Sequence, residues 1–446
     1  MEKKILLINP YIGGSNSPIY NRIWPPLSLA YCASILEKNG FDVKILDMNA
    51  NPIKLKSKVF DSFDKVFMTT STIDRWQCPH LDIKPFLKLS KAIRESNPNF
   101  YVMGSHGTIR PKEILELTQA KAIIMGEPEL TILEICNDKA FSKIKGIAYK
   151  KANKLIINQG RELLDLDVLP LPAFHLLPME KYFYEILGDN FTLFEGSRGC
   201  PFSCIYCLKV MYGKGYRKKS PENLIKEVKY GIEEFNVKTA YFIDLEFTLN
   251  QNLVEKLCDF LIKNKYNFRW TCQTRFDTIN RKMLEKMREA GCEIIHLGVE
   301  TGSPRIMKTI KKNITIAKIK RGMKLIKEAD IKSVCFFMFG LPRETKKDMK
   351  MTIKLAKELD PTYASFHIAT PYPGTEFYEM IKNEIGDEMF PSSYMDEKEL
   401  KKVVNSAFLS FYLRPHYIFS RLKRGELKLL GKQIKLFLNY LRKVKK

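Results

Sequence analysis

The sequence predicts an α/β protein with three parts: an N-terminal doubly wound parallel sheet of the Rossmann-like kind, a (βα)6 partial barrel of the TIM type, and a helical C-terminal region. Three observations predict it. Short apolar runs alternate with amphipathic helical patterns in two separate series, a proline-rich bridge divides the series, and residues 386–446 read as helical. At 446 residues and 45% hydrophobic content the chain can bury two to three ordinary cores. The expected divisions are 1–145 for the doubly wound domain, 146–190 for a linker, 191–385 for the barrel and 386–446 for the C-terminal region.

In the first series the strand-like runs are 4–10, 42–47, 65–71, 100–106 and 121–127. Helical patterns such as "PLSLAYCASILEKNG" (26–40) and "LKLSKAIRESNP" (87–98) lie between them, which implies crossover connections and a parallel sheet. Ligands bind off the carboxyl ends of such strands, here "NPYIGGSNSP", "TTSTIDRW", "GSHGT" and "GEPE". The dinucleotide fingerprint G-x-G-x-x-G is missing after the first strand, so a nicotinamide or flavin domain is disfavoured. Next comes "LDLDVLPLPAFHLLPMEKY", whose prolines mark an extended bridge. The second series places strands at 191–197, 239–247, 268–275, 293–300, 333–340 and 363–370. Helices are expected at 221–235, 252–264, 280–290, 315–329 and 345–358. A barrel of this kind carries its chemistry at the carboxyl ends of its strands.

No stretch approaches 18 consecutive apolar residues, and the N-terminus lacks the apolar region and cleavage site of a signal peptide; a cytoplasmic protein is expected. The formal net charge is +24, compatible with nucleic acid, anionic membrane or acidic partners. The tail from Arg414 repeats Leu427, Leu430, Ile434, Phe437, Leu438 and Leu441 at helical spacing among lysines and arginines. Such a basic amphipathic helix can lie at an anionic membrane surface or pack on its own domain. Seven dispersed cysteines (Cys32, Cys78, Cys136, Cys258, Cys272, Cys292 and Cys335) read as small core residues, not a disulfide framework.

The other three, Cys200, Cys204 and Cys207, are clustered as C-x3-C-x2-C in the loop after the first barrel strand, "EGSRGCPFSCIYCLKV". A closed zinc site needs four ligands, and no second C-x2-C or H-x3-5-H is present. Three thiolates can instead hold three irons of a cubane and leave the fourth iron open, with Tyr206 covering part of the cluster.

This loop resembles that of the radical S-adenosylmethionine (SAM) family. The resemblance covers about 190–385 and includes "FIDLEFTLN", "RWTCQTRFD", "HLGVETGSPRIMKTIKKNIT", "FMFGLPRET" and "ATPYPGTEFYE". It implies a [4Fe–4S] cluster on Cys200, Cys204 and Cys207, with SAM on the open iron. It makes Tyr206, Asp244, Glu246, Arg275 and Glu300 candidate SAM contacts. It also implies an electron donor such as ferredoxin or flavodoxin. The front domain, through "WPPLSLAYCASILEKNGFDVKILD", "MGSHGTIRPKEIL" and "IMGEPELTILEI", is similar to the cobalamin-binding domain of cobalamin-dependent radical SAM enzymes. That likeness implicates Thr70, Ser71, Gly104, Ser105, His106, Gly126 and Glu127 in cradling cobalamin. The D-x-H-x-x-G motif that would supply a lower axial histidine is absent, and "DRWQCPH" (74–80) does not reproduce it.

Together the resemblances imply a C-methyltransferase acting on an unactivated carbon through a 5′-deoxyadenosyl radical and methylcobalamin. The alternative is an oxidative cyclase or rearrangement enzyme with the same layout. The segment "SAFLSFYLRPHYIFSRL" (406–422) resembles relatives acting on lipids and tetrapyrroles, which points to a lipid or other hydrophobic small molecule. An iron–sulfur sensor without turnover is a rival of another class. Nucleic acid is disfavoured as a substrate because no RNA-binding module is appended. His296 and His367 read as satisfied barrel histidines.

Overall fold

The computed structural model describes residues 2–11, 22–52, 57–71, 79, 81–213, 215–386, 388–423 and 431. The front half contributes β1 (Lys4–Asn9), β2 (Arg22–Ile23), β3 (Asp42–Asp47), β4 (Lys65–Thr69), β5 (Phe100–Met103) and β6 (Ala122–Ile124). A hairpin follows, β7 (Ile147–Lys151) and β8 (Lys154–Ile157), and then β9 (Phe183–Tyr184) and β10 (Gly188–Asp189). One sheet runs β3-β1-β4-β5-β6-β7-β8. It is parallel through β6 and antiparallel at β7 and β8. Side chains alternate across it: Leu7 packs with Leu36, Ile124 and Ile132 on one face, while Ile8 packs with Phe86, Val102 and Ile114 on the other. Two covered faces are why these strands read as continuous apolar runs.

The hairpin falls in the segment read as linker. Ala152 and Asn153 both hold positive φ (46° and 61°), the backbone of a two-residue turn that matches strand twist. That signal is short and local.

The second half supplies β11 (Phe191–Phe194), β12 (Ser197–Gly199), β13 (Tyr216–Lys218) and β14 (Thr239–Phe242). β15 (Arg269–Thr274), β16 (Cys292–Glu300), β17 (Lys332–Phe339) and β18 (Tyr363–Ile368) complete it. Six of these form an all-parallel sheet, β11-β14-β15-β16-β17-β18, with a helix after each of the first five. Those helices begin at Ser220, Asn250, Asn280, Thr315 and Thr345, and each of these side chains accepts a hydrogen bond from a first-turn backbone N–H. Their starts were legible for that reason.

Two features close the barrel. The small sheet β10-β9-β2 brings Tyr184 against Trp24, Phe191 and Tyr241, filling the lumen beside β11. On the opposite edge the helix Glu397–Tyr412 packs along β18, where the Tyr412 hydroxyl donates to the Ala364 carbonyl (2.8 Å) and accepts from the Ala364 N–H (2.9 Å). An edge strand is thereby covered and its backbone satisfied. A last helix, Pro415–Lys423, follows. Among the described residues no helix is long and apolar enough to cross a membrane. The amphipathic repeat Leu427–Leu441 and the "DRWQC" part of 74–80 lie outside the described residues.

Candidate active site

The cysteine loop leaves β12 at the mouth of the barrel. Gly199 holds φ +85°, and a Cβ there would collide with the Gly215 carbonyl, so glycine is needed for β12 and β13 to pair this closely. Cys200 is buried, and Cys204 and Cys207 are half-buried. Between them Ile205 is driven into a small apolar cluster with Ile306, Ile310, Leu341 and Phe377. Its backbone is pinned on both sides, N–H to Ile310 O (3.1 Å) and O from Phe377 N–H (3.0 Å). The Lys209 ammonium donates to the Cys200 carbonyl (3.3 Å) and to the Phe202 carbonyl. Among the described residues no three Cys, His, Asp or Glu side chains converge on a single metal ion. Three thiols on one pinned loop, with no fourth cysteine beside them among the described residues, are a donor set that fits a cubane, where each thiolate takes a different iron.

A polar arch flanks the loop. Glu300 ends β16 in the left-handed region (φ 69°), rare for a residue with a side chain and here coincident with a register shift against β17. Its carboxylate accepts from Lys312 Nζ at 2.9 Å, and the same ammonium lies 3.3 Å from the Tyr206 hydroxyl. Burial, then the nearby Glu300, raises the Tyr206 hydroxyl well above its ordinary value. Glu246 has one buried carboxylate oxygen without a hydrogen-bond partner. Burial pushes its carboxyl up to about 7, against the pull of Lys312 and Arg275. An unpartnered acceptor in this position fits a cationic or N–H-bearing ligand such as SAM.

The two other expected contacts are satisfied within the chain. Asp244 accepts from the Gly196 N–H (2.9 Å) and from the Ser197 hydroxyl, fixing the turn between β11 and β12. Burial pushes its carboxyl up to about 7 against those bonds. Arg275 forms a two-armed pair with Asp277 (2.8 and 2.9 Å), donates to the Lys312 carbonyl (3.0 Å) and lies 3.9 Å over the Phe202 ring. Both shape the walls of the loop.

The front cradle lies at the carboxyl ends of β4, β5 and β6. Thr70 and Ser105 each bury a hydroxyl oxygen with no hydrogen-bond partner. Gly104 holds φ 111° and ψ −174°, where a Cβ would stand 2.6 Å from Thr70 Oγ1. Orphaned hydroxyls around a backbone position only glycine can take fit a polar ligand lying close to the main chain, as cobalamin would. Ser71 is buried, and its carbonyl accepts from Thr69 Oγ1 (3.1 Å). His106 is fully buried, its ring between Phe86 and Phe390, each 5.2 Å away. Gly126 receives its place from Thr108, whose hydroxyl accepts the Gly126 N–H (3.0 Å). Gly104→Ala should lower extractable corrinoid after reconstitution and cost about 1–3 kcal/mol of front-domain stability, read by thermal melting.

Glu127 turns out to be a joint between the halves. Arg198, with no exposed side-chain surface, pairs with Glu127 (3.3 Å) and Glu129 (2.8 Å) from the front half and with Glu195 (2.8 Å) from the barrel. Arg217 adds a second, two-armed contact to Glu127. A second buried joint links Tyr31 of the front helix Leu27–Lys38 to Glu227 (2.7 Å) and Lys219 (2.7 Å) of the barrel. Sequence reasoning passed over Arg198 and Lys312. The only signal available was position: Arg198 sits two residues before Cys200, and Lys312 follows the strand end that carries Glu300.

Comparison with known proteins agrees with this arrangement. The Radical SAM superfamily pattern matches residues 194–356, and the B12 binding domain pattern matches residues 20–135. The chain is 33% identical over 438 residues to an uncharacterized methyltransferase, PH0819, of Pyrococcus horikoshii, covering 92% of this chain and 93% of that protein. It is 26% identical to an anaerobic magnesium-protoporphyrin IX monomethyl ester cyclase of Rubrivivax gelatinosus, covering 96% of this chain and 81% of the cyclase. In fold it matches OxsB, a cobalamin-dependent S-adenosylmethionine radical enzyme solved with aqua-cobalamin and SAM. The TM-score is 0.74 at 16% identity, covering 97% of this chain and 72% of OxsB. The chain belongs to the radical SAM superfamily, in the branch that carries a B12-binding domain ahead of the barrel.

Proposed function

We propose that this radical SAM enzyme methylates an unactivated carbon of a small organic substrate in the space between the front cradle and the barrel mouth. Its cofactors are a [4Fe–4S] cluster, SAM and cobalamin, which supply a radical able to remove hydrogen and a carrier for the methyl group. Cys200, Cys204 and Cys207 hold the cluster, and the fixed Ile205 backbone keeps their spacing. Glu246 and the Glu300–Lys312–Tyr206 group take the direct SAM contacts, while Asp244 and Arg275 hold the walls those contacts stand on. Thr70, Ser71, Gly104, Ser105 and Gly126 cradle the corrinoid, and the buried His106 ring backs the cradle. The observation that carries the reading is the Arg198 joint, which ties Glu127 of the front cradle to the strand end leading directly into the cysteines. Two cofactor sites locked mouth to mouth suit transfer between two cofactors onto one carbon.

The positive net charge suits an acidic one-electron donor such as a ferredoxin or flavodoxin. Exposed Leu413, Phe419 and Leu422 at the end of the described chain support contact with a membrane surface and a hydrophobic or lipid substrate.

Anaerobic reconstitution with iron, sulfide and hydroxocobalamin, followed by SAM and a reductant, tests the reading. Methyl transfer gives 5′-deoxyadenosine and S-adenosylhomocysteine in equal amounts with a methylated product, two SAM molecules being used per turnover. 5′-Deoxyadenosine with an unmethylated, ring-closed product would favour the cyclase alternative. Neither nucleoside product from the reduced, cluster-loaded protein would defeat the enzyme reading.

A further inference from the structure

We infer that the barrel lumen holds a subsite for an oxyanion of the substrate, a carboxylate or phosphoryl group, anchored by Arg22 with the Ser365–His367 pair beside it. The inference rests on the methyl-transfer reading above and names the class of molecule that site would take.

Arg22 lies on β2, opposite Tyr184 of β9, in the small sheet that plugs the lumen. Its guanidinium carbon stands 4.2 Å from the centroid of the Trp24 ring. Among the described residues its side chain has no ion-pair partner and no hydrogen-bond acceptor, although the residue is half-buried. Other enclosed arginines among the described residues each have an acceptor: Arg198 pairs with carboxylates, Arg217 with Glu127, Arg275 with Asp277 and Arg421 with the Thr362 carbonyl. An enclosed cation without an acceptor is costly unless something else supplies one. Stacking on an indole face leaves the in-plane N–H groups free, which is the geometry for a two-armed contact with a carboxylate or phosphate.

Ring contacts connect it to the barrel interior: Tyr184, paired with Arg22, lies 6.3 Å from His296, and Phe336 lies 5.8 Å from His296 and 5.9 Å from His367. Arg22 acts electrostatically on both His296 and His367, two residues of the barrel interior. Burial first, and then Arg22, bring His296 down to about 3, so it adds no competing charge. His367 is solvent-accessible, and its Nε2 lies 2.7 Å from the Ser365 hydroxyl. The strand register puts Phe336 beside Ser365, Met338 beside His367, and Gly298 beside Phe336. Gly298, Phe336, Met338 and His367, with Gln273 on β15, stay partly accessible while Ser365 is buried among them, so they form the chamber wall. His367 also feels the Glu300 carboxylate, which places the chamber next to the polar arch. A substrate whose oxyanion rests on Arg22 extends from there toward the arch. A neutral analogue leaves the guanidinium unpaired, so the subsite discriminates as well as binds.

Titration calorimetry on protein carrying the cluster and hydroxocobalamin tests this, because the corrinoid then already fills its own site. Inorganic phosphate and acetate are titrated separately at constant ionic strength, and the anion that binds more tightly identifies the phosphoryl or carboxylate source. The expected result is saturable binding in the native protein, weakened at least about tenfold in Arg22→Gln and partly restored in Arg22→Lys. His367→Asn should weaken it less. Absence of saturable binding, or equal binding in Arg22→Gln, overturns the subsite. Loss of corrinoid from Arg22→Gln overturns it too, since Arg22 would then serve the cofactor. Failure of the methyl-transfer reading shows separately, as missing S-adenosylhomocysteine while the anion titration stands.

Discussion

Alanine at Cys200, Cys204 or Cys207 removes cluster iron from the reconstituted protein and brings 5′-deoxyadenosine formation down to the level of the protein-free control. Three protein thiolates are the minimum that leaves one open iron, and two cannot hold a cubane with the same geometry. Among the described residues the loop has no neighbouring cysteine to substitute, since Cys258 and Cys292 are buried in the barrel core. Cys258→Ala is therefore the matched control: it loses only packing, and its cluster absorption and iron content stay at the native level. Full iron content in any of the three loop variants would show that another residue ligates and would undo the assignment.

Arg198→Met should be the most destabilising single change outside the cysteines. It removes the cation shared by Glu127, Glu129 and Glu195, of which Glu127 keeps Arg217. Breaking such a group costs about 3–5 kcal/mol, because the partner charges remain buried. For domains of this size that corresponds to a fall on the order of 10 °C in melting temperature. Corrinoid retention should fall with it, since Glu127 adjoins the cradle at Gly126. Arg198→Lys is expected to recover only part of the loss, as a single ammonium cannot reach three carboxylates in a fixed fork. An unchanged melting curve together with unchanged corrinoid content in Arg198→Met would mean that the two halves are held by other contacts, such as the Tyr31–Glu227–Lys219 joint.

Most of the architecture was legible because it is written locally. The runs at 42–47 and 293–300 became β3 and β16 with little change, since an apolar stretch between turn residues settles its own extended state. Helix starts at Ser220, Asn280 and Thr345 were equally local, each cap bonding within its first turn. What escaped was tertiary. The strand β2 is two residues long and exists only because β9, more than 150 positions later, offers it a partner. The C-terminal helices read as an appendage, yet Phe411 and Tyr412 are part of the barrel core.

The site divides in the same way. The spacing of Cys200, Cys204 and Cys207, the strand after which they fall, and the glycine-bearing strand ends of the front sheet follow from neighbours in the chain, and these determined the family and its cofactors. Which polar residues are free to meet a ligand was decided only on folding. Asp244, Arg275, Glu246 and Glu300 look alike as charges at strand ends. Asp244 and Arg275 find partners at Ser197 and Asp277 and become scaffold, while Glu246 keeps an unbonded oxygen and Glu300 is turned over the mouth beside Lys312. Arg198 and Arg22 show the same divide: one is enclosed by three carboxylates from two domains, the other left facing the lumen with none among the described residues. Burial makes every charge require a partner, and whether a partner arrives depends on segments far apart in sequence being packed together.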